Sequence, residues 1–210
     1  RLSAGDPLPR PFPLPGPPGR AITTMRAGEG YLWIGSYYGL VRQSLADGQA
    51  TLFAADPARS DSLSNNEVWA VLPRPDGTAW VGTANGLNLM RPDGGFDHFH
   101  REPDRPDGLP HDYVAALTLD RRGRLWVGTV GGGVALMLRE PQDGRPPAFH
   151  TVSRLHGMPS DTIASLMLGS DGRIWASTDN GLAAIDPDDF SVARLESGVS
   201  HSITSYLPGS

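Results

Sequence analysis

Polar and aromatic side chains recur at two places in a repeated sequence pattern, and these residues are the best suited to contact a ligand. One set follows each of several repeated tryptophans: Tyr37, Tyr38, Asn85, Asp179 and Asn180. The other set precedes a short apolar run in each repeat: Asn65, Asn66, His111, Asp112, Ser160 and Asp161. Trp69 begins one of these apolar runs. Aromatic rings among amides and carboxylates favour a small polar or carbohydrate ligand, and we expect no cofactor.

These polar residues also have a purely structural interpretation, because Asn, Asp and Ser side chains commonly accept hydrogen bonds within their own turns. An enzyme would need acid, base or metal groups that converge on one face. His111, Asp112 and Asp161 are the only plausible set, and the repeat places them in successive connecting segments, about 10 Å or more apart. We therefore predict no catalytic residue.

Three further patterns resemble ligand sites only superficially. His98 and His100 would share one face of a strand, a spacing that can bind zinc, but no third ligand is evident. The run Gly131–Gly133 lacks the Lys-Ser/Thr of a phosphate-binding loop. The acidic turn 186–189 lacks the six spaced ligands of an EF-hand. We predict no metal site.

The composition narrows the class of protein. The chain has 210 residues, a formal net charge of −5 and no cysteine, which excludes disulfides and cysteine-based zinc sites. A general nucleic-acid-binding protein would normally be basic, so we expect no nucleic-acid partner. With 26 glycines and 20 prolines, the chain favours many short strands joined by turns over long helices.

An internal repeat dominates the sequence. Tryptophans stand at Trp33, Trp80, Trp126 and Trp175, with spacings of 47, 46 and 49 residues. The phrases around them are YLWIGSYYGL, TAWVGTANGL, RLWVGTVGGG and RIWASTDNGL. A glycine lies three residues before each tryptophan, often after Asp, which is a strong signal for a tight hairpin.

Each repeat contains four short antiparallel strands, and a unit of this kind and length is a β-propeller blade. The sequence therefore predicts an all-β propeller in one domain, residues 1–210. The blades cover approximately residues 22–67, 68–113, 114–162 and 163–202. The third blade carries an insert, Glu140 to Pro147, before its outer strand. We expect each tryptophan to pack against the neighbouring blade, and the glycine two residues later to allow close approach.

The pattern W-[IV]-G-[ST]-x-x-G-L, with an Asp-Gly turn before it and G-L-[SP]-x-[ND]-x-[VI] after it, resembles the two-component regulator propeller repeat. The resemblance covers residues 14–207, and the fourth copy departs from it with Trp175-Ala176-Ser177-Thr178. Proteins similar to this are bacterial receptors. Their periplasmic propeller precedes a membrane helix and a cytoplasmic histidine kinase or diguanylate cyclase (GGDEF) output domain. The resemblance implies a non-catalytic, ligand-sensing domain. This domain would be attached to a membrane only through segments downstream of it.

Two alternatives to a sensor stay open: a propeller enzyme, such as a lyase or hydrolase, and a platform for protein interactions.

The resemblance also implies a ring larger than four blades, of about seven. Residues 203–210 would begin a further blade, since Ile203 to Leu207 matches Ile163 to Met167. Residues 1–21 would complete a preceding or closing blade. The chain would then be a fragment whose open blade edges favour a homo-oligomer. The alternative is a closed ring of four blades, in which the blade of Trp33 packs directly on that of Trp175.

Overall fold

The protein folds into four separate antiparallel sheets of four strands each, as the repeat predicts. A computed structural model describes residues 15–16, 21–142 and 144–195. In every sheet the strands follow one another in chain order, so each sheet is a meander. We number the sheets as blades 1 to 4. Within the described residues, the chain contains no helix long and apolar enough to span a bilayer.

Each blade contains four strands in chain order. Blade 1 contains β1 (Ile22–Gly28), β2 (Tyr31–Ser36), β3 (Gly39–Ser44) and β4 (Ala50–Phe53). Blade 2 contains β5 (Val68–Pro73), β6 (Ala79–Thr83), β7 (Gly86–Met90) and β8 (Phe96–Phe99). Blade 3 contains β9 (Val114–Leu119), β10 (Leu125–Thr129), β11 (Gly133–Arg139) and β12 (Ala148–Val152). Blade 4 contains β13 (Ile163–Leu168), β14 (Ile174–Thr178), β15 (Gly181–Ile185) and β16 (Val192–Leu195).

The tryptophan of each of the first three blades is buried against the next blade, which confirms the predicted packing. Trp33, Trp80 and Trp126 are at most 2% exposed. Trp80, for example, shares a core cluster with Val114 and Leu117 of the following inner strand β9. Trp33 packs in the equivalent way on β5, and Trp126 packs in the equivalent way on β13. The core is therefore a series of layers between blades.

The glycine two residues after each buried tryptophan brings the next inner strand into close contact. A Cβ atom on Gly82 would lie only 2.6 Å from a methyl carbon of Val114. Gly35 and Gly128 approach the following blade equally closely. In blade 4 this position is Ser177, and the structure places no further blade beside it within the described residues.

A buried carboxylate adds a polar link at the third interface. Asp120 accepts hydrogen bonds from Trp126 Nε1 at 3.1 Å and from Arg124 Nε at 2.7 Å. Arg124 also donates to the carbonyl of Pro187 in blade 4, at 2.7 Å. Burial by itself raises the pKa of Asp120, but the hydrogen bonds from Trp126, Arg124 and Arg122 outweigh it, so the pKa lies below its ordinary value.

The four blades form an open arc in the described part of the chain. Neighbouring blades pack through their inner strands β1, β5, β9 and β13, but β1 and β13 make no contact of comparable extent. Trp175 is correspondingly only partly buried. The described residues therefore do not form the four-bladed ring. The predictions for residues 203–210, and for residues 1–21 apart from 15, 16 and 21, lie outside the described residues.

Truncation of a buried tryptophan tests the layered core. We expect Trp126→Ala to lower the free energy of unfolding by about 3–5 kcal/mol, because it leaves a cavity between blades 3 and 4. Trp175→Ala is the matched control and should cost clearly less, since this ring is partly exposed. Urea unfolding measures both. Equal losses for the two variants would contradict the packing described here.

The lowered pKa of Asp120 predicts acid sensitivity. A carboxyl group whose pKa is lower in the folded state stabilises the fold above its unfolded pKa of about 3.9, and this contribution is lost as the pH falls through the folded value. We therefore expect Asp120→Asn to weaken the protein near neutral pH and to flatten the fall in unfolding free energy below about pH 4. Urea unfolding at pH 7, 4 and 3 measures this, with the exposed Asp104→Asn as control. A wild-type pH profile in Asp120→Asn would refute the prediction.

Candidate ligand-binding face

The turns after the tryptophan strands and the connectors between blades lie at the same end of the blades. The turns are residues 37–38, 84–85, 130–132 and 179–180, and the connectors are residues 54–67, 100–113 and 153–162. Backbone hydrogen bonds join each connector to the turn of the blade before it, for example from Gly39 N to Asn66 O at 2.8 Å. We call this end the rim face, and it carries both sets of residues singled out in the sequence.

One residue in each connector acts as a clamp between three segments. Asp112 Oδ1 accepts a hydrogen bond from Arg101 N at 2.6 Å, just after the outer strand β8. Its carbonyl oxygen accepts a hydrogen bond from Gly86 N at 2.6 Å, directly after the turn that follows the tryptophan strand. Asn66 and Asp161 make the same two kinds of bond in their own connectors. These three side chains therefore fix the rim face itself.

The residue before each clamp stabilises the entry into the next blade. Asn65 Oδ1, His111 Nδ1 and Ser160 Oγ each accept a hydrogen bond from the backbone N–H two residues later, at 2.7, 3.1 and 3.0 Å. Each of the six connector residues predicted as ligand contacts thus accepts a hydrogen bond from the backbone of its own connector.

The residues of the turns after the tryptophan strands are more available. Tyr37 and Tyr38 are 42% and 49% exposed, and Asn85, Asp179 and Asn180 are also exposed. Of these, Asn180 donates a side-chain hydrogen bond to the carbonyl of Pro159, at 3.3 Å. The hydroxyl group at the end of each tryptophan strand donates a hydrogen bond to the carbonyl of the glycine that opens the third strand, and so holds the backbone of the turn.

Three aromatic residues from consecutive parts of the chain meet on the rim face. Tyr37 packs edge-on against Trp69, with ring centroids 5.5 Å apart. On the other side Trp69 contacts Tyr113, at 5.7 Å. We call Tyr37, Trp69 and Tyr113 the aromatic cluster. It joins the turn of blade 1, the inner strand of blade 2 and the connector that enters blade 3.

The sequence reasoning missed Tyr113, and a departure from the repeat could have revealed it. The equivalent connector positions are Glu67 and Thr162, and neither is aromatic. Trp69 is equally exceptional, because the same position holds Thr23 in blade 1 and alanine in blades 3 and 4. Residues that the blade itself does not require are those free to serve recognition.

A bulge in the inner strand explains how Trp69 reaches the aromatic cluster. The register of β5 against β6 shifts between Val68 and Ala70, which leaves Trp69 unpaired. The inner strands of the other three blades have the same irregularity. Bulges of this kind redirect side chains and are common beside functional sites.

The inner strands of all four blades line a central cavity of about 210 Å³. Trp69 lies at its wall, where the equivalent residues are the small Thr23, Ala115 and Ala164. The cavity wall is mainly threonine, serine and alanine, and Arg26 is the one charged residue that lines it within the described chain. The aromatic cluster therefore connects the exposed rim face with a polar central space.

The polar groups of the aromatic cluster have an unusual environment. Burial raises the pKa of the Tyr113 phenol, and the nearby carboxylate of Glu67 and the phenol of Tyr37 raise it further. Tyr113 is therefore a neutral hydrogen-bond donor at physiological pH. Trp69 Nε1 is buried near the Tyr113 hydroxyl, outside hydrogen-bonding geometry, and has no partner among the described residues. A buried unpaired N–H group is costly and therefore notable.

A second cleft lies at the outer edge of the arc and has a volume of about 580 Å³. Outer strand β8 and the insert of blade 3 form its walls, with Phe99 and Phe149 among its lining residues. His98 and His100 also line it, but His98 Nε2 is hydrogen-bonded to the carbonyl of Ser62 at 2.6 Å. Among the described residues no group of three or more His, Cys, Asp or Glu side chains could hold a metal ion.

Comparison with known families agrees with the repeat. The sequence model of the family described as two component regulator propeller matches residues 62–85 and 108–131. Each match runs from a connector through an inner strand and a tryptophan strand. Blades 2 and 3 therefore carry two-component regulator propeller repeats, which confirms the resemblance seen in the sequence. No curated protein matches the chain.

Solved extracellular domains of bacterial two-component systems have the same fold. The extracellular domain of BT4673 from B. thetaiotaomicron, described as a hybrid two-component system, is 27% identical, with a TM-score of 0.63. That of BT3049 from the same organism is 18% identical, with a TM-score of 0.65. The matches cover 87% and 83% of this chain, but only 23% and 24% of those structures. The chain thus spans about a quarter of the length of these extracellular domains.

The propeller fold also occurs in an enzyme. A catalytically inactive virginiamycin B lyase from Staphylococcus aureus is 16% identical, with a TM-score of 0.61, over 86% of this chain and 57% of the lyase. An identity this low shows the fold alone. Fold and repeats together define a β-propeller in which blades 2 and 3 match the two-component regulator propeller repeat, and whose fold is shared by extracellular domains of two-component systems.

Substitution of a clamp residue tests its structural role. We expect Asp112→Ala to lower the free energy of unfolding by about 1 kcal/mol, because Arg101 N loses its acceptor. For a domain of this size that corresponds to a fall in melting temperature of about 2–4 °C. Asp112→Asn keeps an acceptor oxygen and should stay close to the wild type. An equal loss in both variants would show that the charge of Asp112, rather than its acceptor oxygen, is what matters.

Proposed function

We propose that this domain is the ligand-sensing part of a bacterial signal-transduction receptor and is not itself an enzyme. Support comes from the propeller repeats in blades 2 and 3 and from the likeness to extracellular domains of two-component systems. In this proposal the domain lies in the periplasm, as the extracytoplasmic part of an inner-membrane receptor. Segments outside this chain would supply the membrane helix and a histidine kinase or diguanylate cyclase output.

The observation that carries the proposal is the aromatic cluster on the rim face. Tyr37, Trp69 and Tyr113 stand where the other repeats have no aromatic residue, and the blade core does not need them. Aromatic rings on a rigid scaffold supply contact area at little conformational cost, and their polar ends fix orientation. This surface differs from the rest of the rim face, where the connector side chains are already used by clamps.

The proposed ligand is a small polar molecule, with a carbohydrate as the best fit. Its ring would stack on the exposed face of Tyr37, while hydroxyl groups would meet the exposed Tyr38 and Asn85. The neutral phenol of Tyr113 and the carboxylate of Glu67 offer a donor and an acceptor beside the stacking surface. Asp179 and Asn180 lie over blade 4, and in this proposal they are peripheral to the ligand.

The enzyme alternative has little support from the geometry. His111, Asp112 and Asp161 would have to converge on a substrate as acid and base. Instead His111 Nδ1 accepts from Tyr113 N, Asp112 Oδ1 from Arg101 N, and Asp161 Oδ1 from Arg154 N. Each of these side chains therefore holds its own connector, and among the described residues no hydrogen bond links the three to one another.

A binding screen tests the proposed function. We expect a mono- or oligosaccharide from a panel to raise the melting temperature of the wild type in a thermal-shift screen, with affinity then measured by calorimetry. Tyr37→Ala and Trp69→Ala should weaken binding at least tenfold, because each removes stacking surface.

The matched control is Asn180→Ala, which changes the rim face over blade 4 and should leave affinity unchanged. Melting temperatures of all variants without ligand show whether they are folded. Wild-type affinity in both aromatic variants would exclude the aromatic cluster as the site, and no binding by any saccharide would exclude the proposed ligand class.

A further inference from the structure

The cavity of about 580 Å³ at the outer edge of the arc lies between blades 2 and 3, and we call it the outer cleft. Both blades have a described neighbour on each side, so the cleft belongs to the interior of the arc rather than to one of its ends. Its apolar floor consists of buried and half-buried residues: Leu89, Phe99, Leu109 and Phe149. The other two interfaces of the arc show how such a space is filled.

Between blades 1 and 2 the equivalent space is filled by an arginine side chain. Arg42 and Leu89 are equivalent, because each pairs across the sheet with the tryptophan of its own blade. The guanidinium group of Arg42 lies over the ring of Phe53, 5.5 Å from the ring centroid. Phe53 is in turn the equivalent of Phe99, since both pair with the residue that follows the first glycine of the third strand.

Between blades 3 and 4 the equivalent space is filled by an aromatic ring. Phe190 belongs to the turn before the outer strand of blade 4, the position at which blade 3 carries its insert. Its ring packs on His150, with centroids 4.1 Å apart, and lies 6.3 Å from that of Trp126. In both interfaces, a flat group stacked on a ring therefore closes the outer side.

Between blades 2 and 3 the chain supplies no such group. Leu89 is short and branched where Arg42 is long, and the insert of residues 140–147 contains no aromatic residue. The insert has one arginine, Arg145, which is exposed at the mouth of the cleft. The outer cleft is therefore an open version of a space that is occupied in the neighbouring interfaces.

The wall that the insert contributes is held in place at both ends. Glu140 pairs with Arg74 of blade 2 at 3.1 Å. Arg105, in the connector, donates a hydrogen bond to the carbonyl of Pro147 at 2.9 Å. Pro146 and Pro147 also restrict the backbone, because the proline ring fixes φ. The cleft is thus preorganised, and a ligand would pay little for ordering it.

The charges of the outer cleft decide which kind of flat group it suits. Asp97 accepts a hydrogen bond from Arg91 Nη1 at 2.6 Å, and Glu102 accepts one from Arg105 Nη1 at 2.7 Å. Both carboxylates that line the cleft are therefore already in ion pairs. A cation like the guanidinium of Arg42 would find no free carboxylate among these residues, so a neutral ring fits better.

We propose that the outer cleft binds a small molecule with a flat, neutral aromatic ring. The ring stacks on Phe99, as Arg42 stacks on Phe53, and the rest of the apolar floor covers its edge. His100 and Gln142 line the mouth and can meet a polar substituent. The volume lies within the range of about 300–1,000 Å³ that is usual for ligand sites. This is a second site, because no residue of the aromatic cluster lines the cleft.

Methyl NMR of the wild-type protein tests where a ring binds. The probes are indole, adenine and benzyl alcohol, with cyclohexanemethanol as the saturated counterpart of benzyl alcohol. We expect at least one of the three rings to shift the methyl resonances of Leu89 and Leu109, because aromatic ring currents act over short distances. Met167, in blade 4, should not shift, and cyclohexanemethanol should bind more weakly than benzyl alcohol. The absence of any shift at Leu89 and Leu109 with all three rings overturns the proposal.

A cleft-filling variant tests the site by a second route. Leu89→Arg copies blade 1 and should weaken binding of the ring by about tenfold or more, since its guanidinium takes the stacking position on Phe99. Leu155→Arg is the matched control, because it adds the same charge at a residue that is 95% exposed and does not line the cleft. It should bind like the wild type.

Melting temperatures without ligand show whether the variants are folded. If Leu89→Arg does not fold, Phe99→Leu replaces it, since this change keeps an apolar side chain and removes only the ring. Wild-type affinity in the folded cleft variant overturns the proposal, and so does an equal loss of affinity in Leu155→Arg.

Discussion

The contact between the tryptophan of one blade and the inner strand of the next is the interaction on which the rest of this structure depends. A single four-stranded sheet cannot bury both of its faces, so no blade is stable alone. The glycine after each tryptophan, the β-branched residue that opens each inner strand and the length of the repeat all serve this contact. They bring Trp80, for example, into one core cluster with Val114. A Cβ atom on Gly82 would have no space beside that valine.

The same constraint determines where function can reside. Within the blades, nearly every repeated position is occupied by packing or by hydrogen bonds that hold turns. The clamp residues Asn66, Asp112 and Asp161 extend this to the connectors, since each fixes an outer strand and a turn at once. Recognition is then left to the positions that vary between repeats. Tyr37, Trp69 and Tyr113 are such positions, and the bulge in β5 lets Trp69 face the central space without disturbing the sheet.

The position of the aromatic cluster has a consequence for signalling. Its three members belong to blade 1, blade 2 and the connector into blade 3, so a ligand bound there would contact three units of the arc at once. In the proposed function, a ligand held there would favour the arrangement of the blades in which it makes its best contacts.

The sequence by itself determined the all-β propeller class and the buried tryptophans, because these depend on local turn chemistry and on a pattern that recurs four times. It also identified the rim face, since alternate turns of a meander lie at opposite ends. It could not show which polar residues were free. Asp112 and Asp179 look alike in the sequence, and only the fold places a backbone N–H from eleven residues away on the first. Tyr113 was missed for the same reason: its contact with Trp69 depends on a bulge and on the approach of two blades, and neither is a property of its neighbours in the chain.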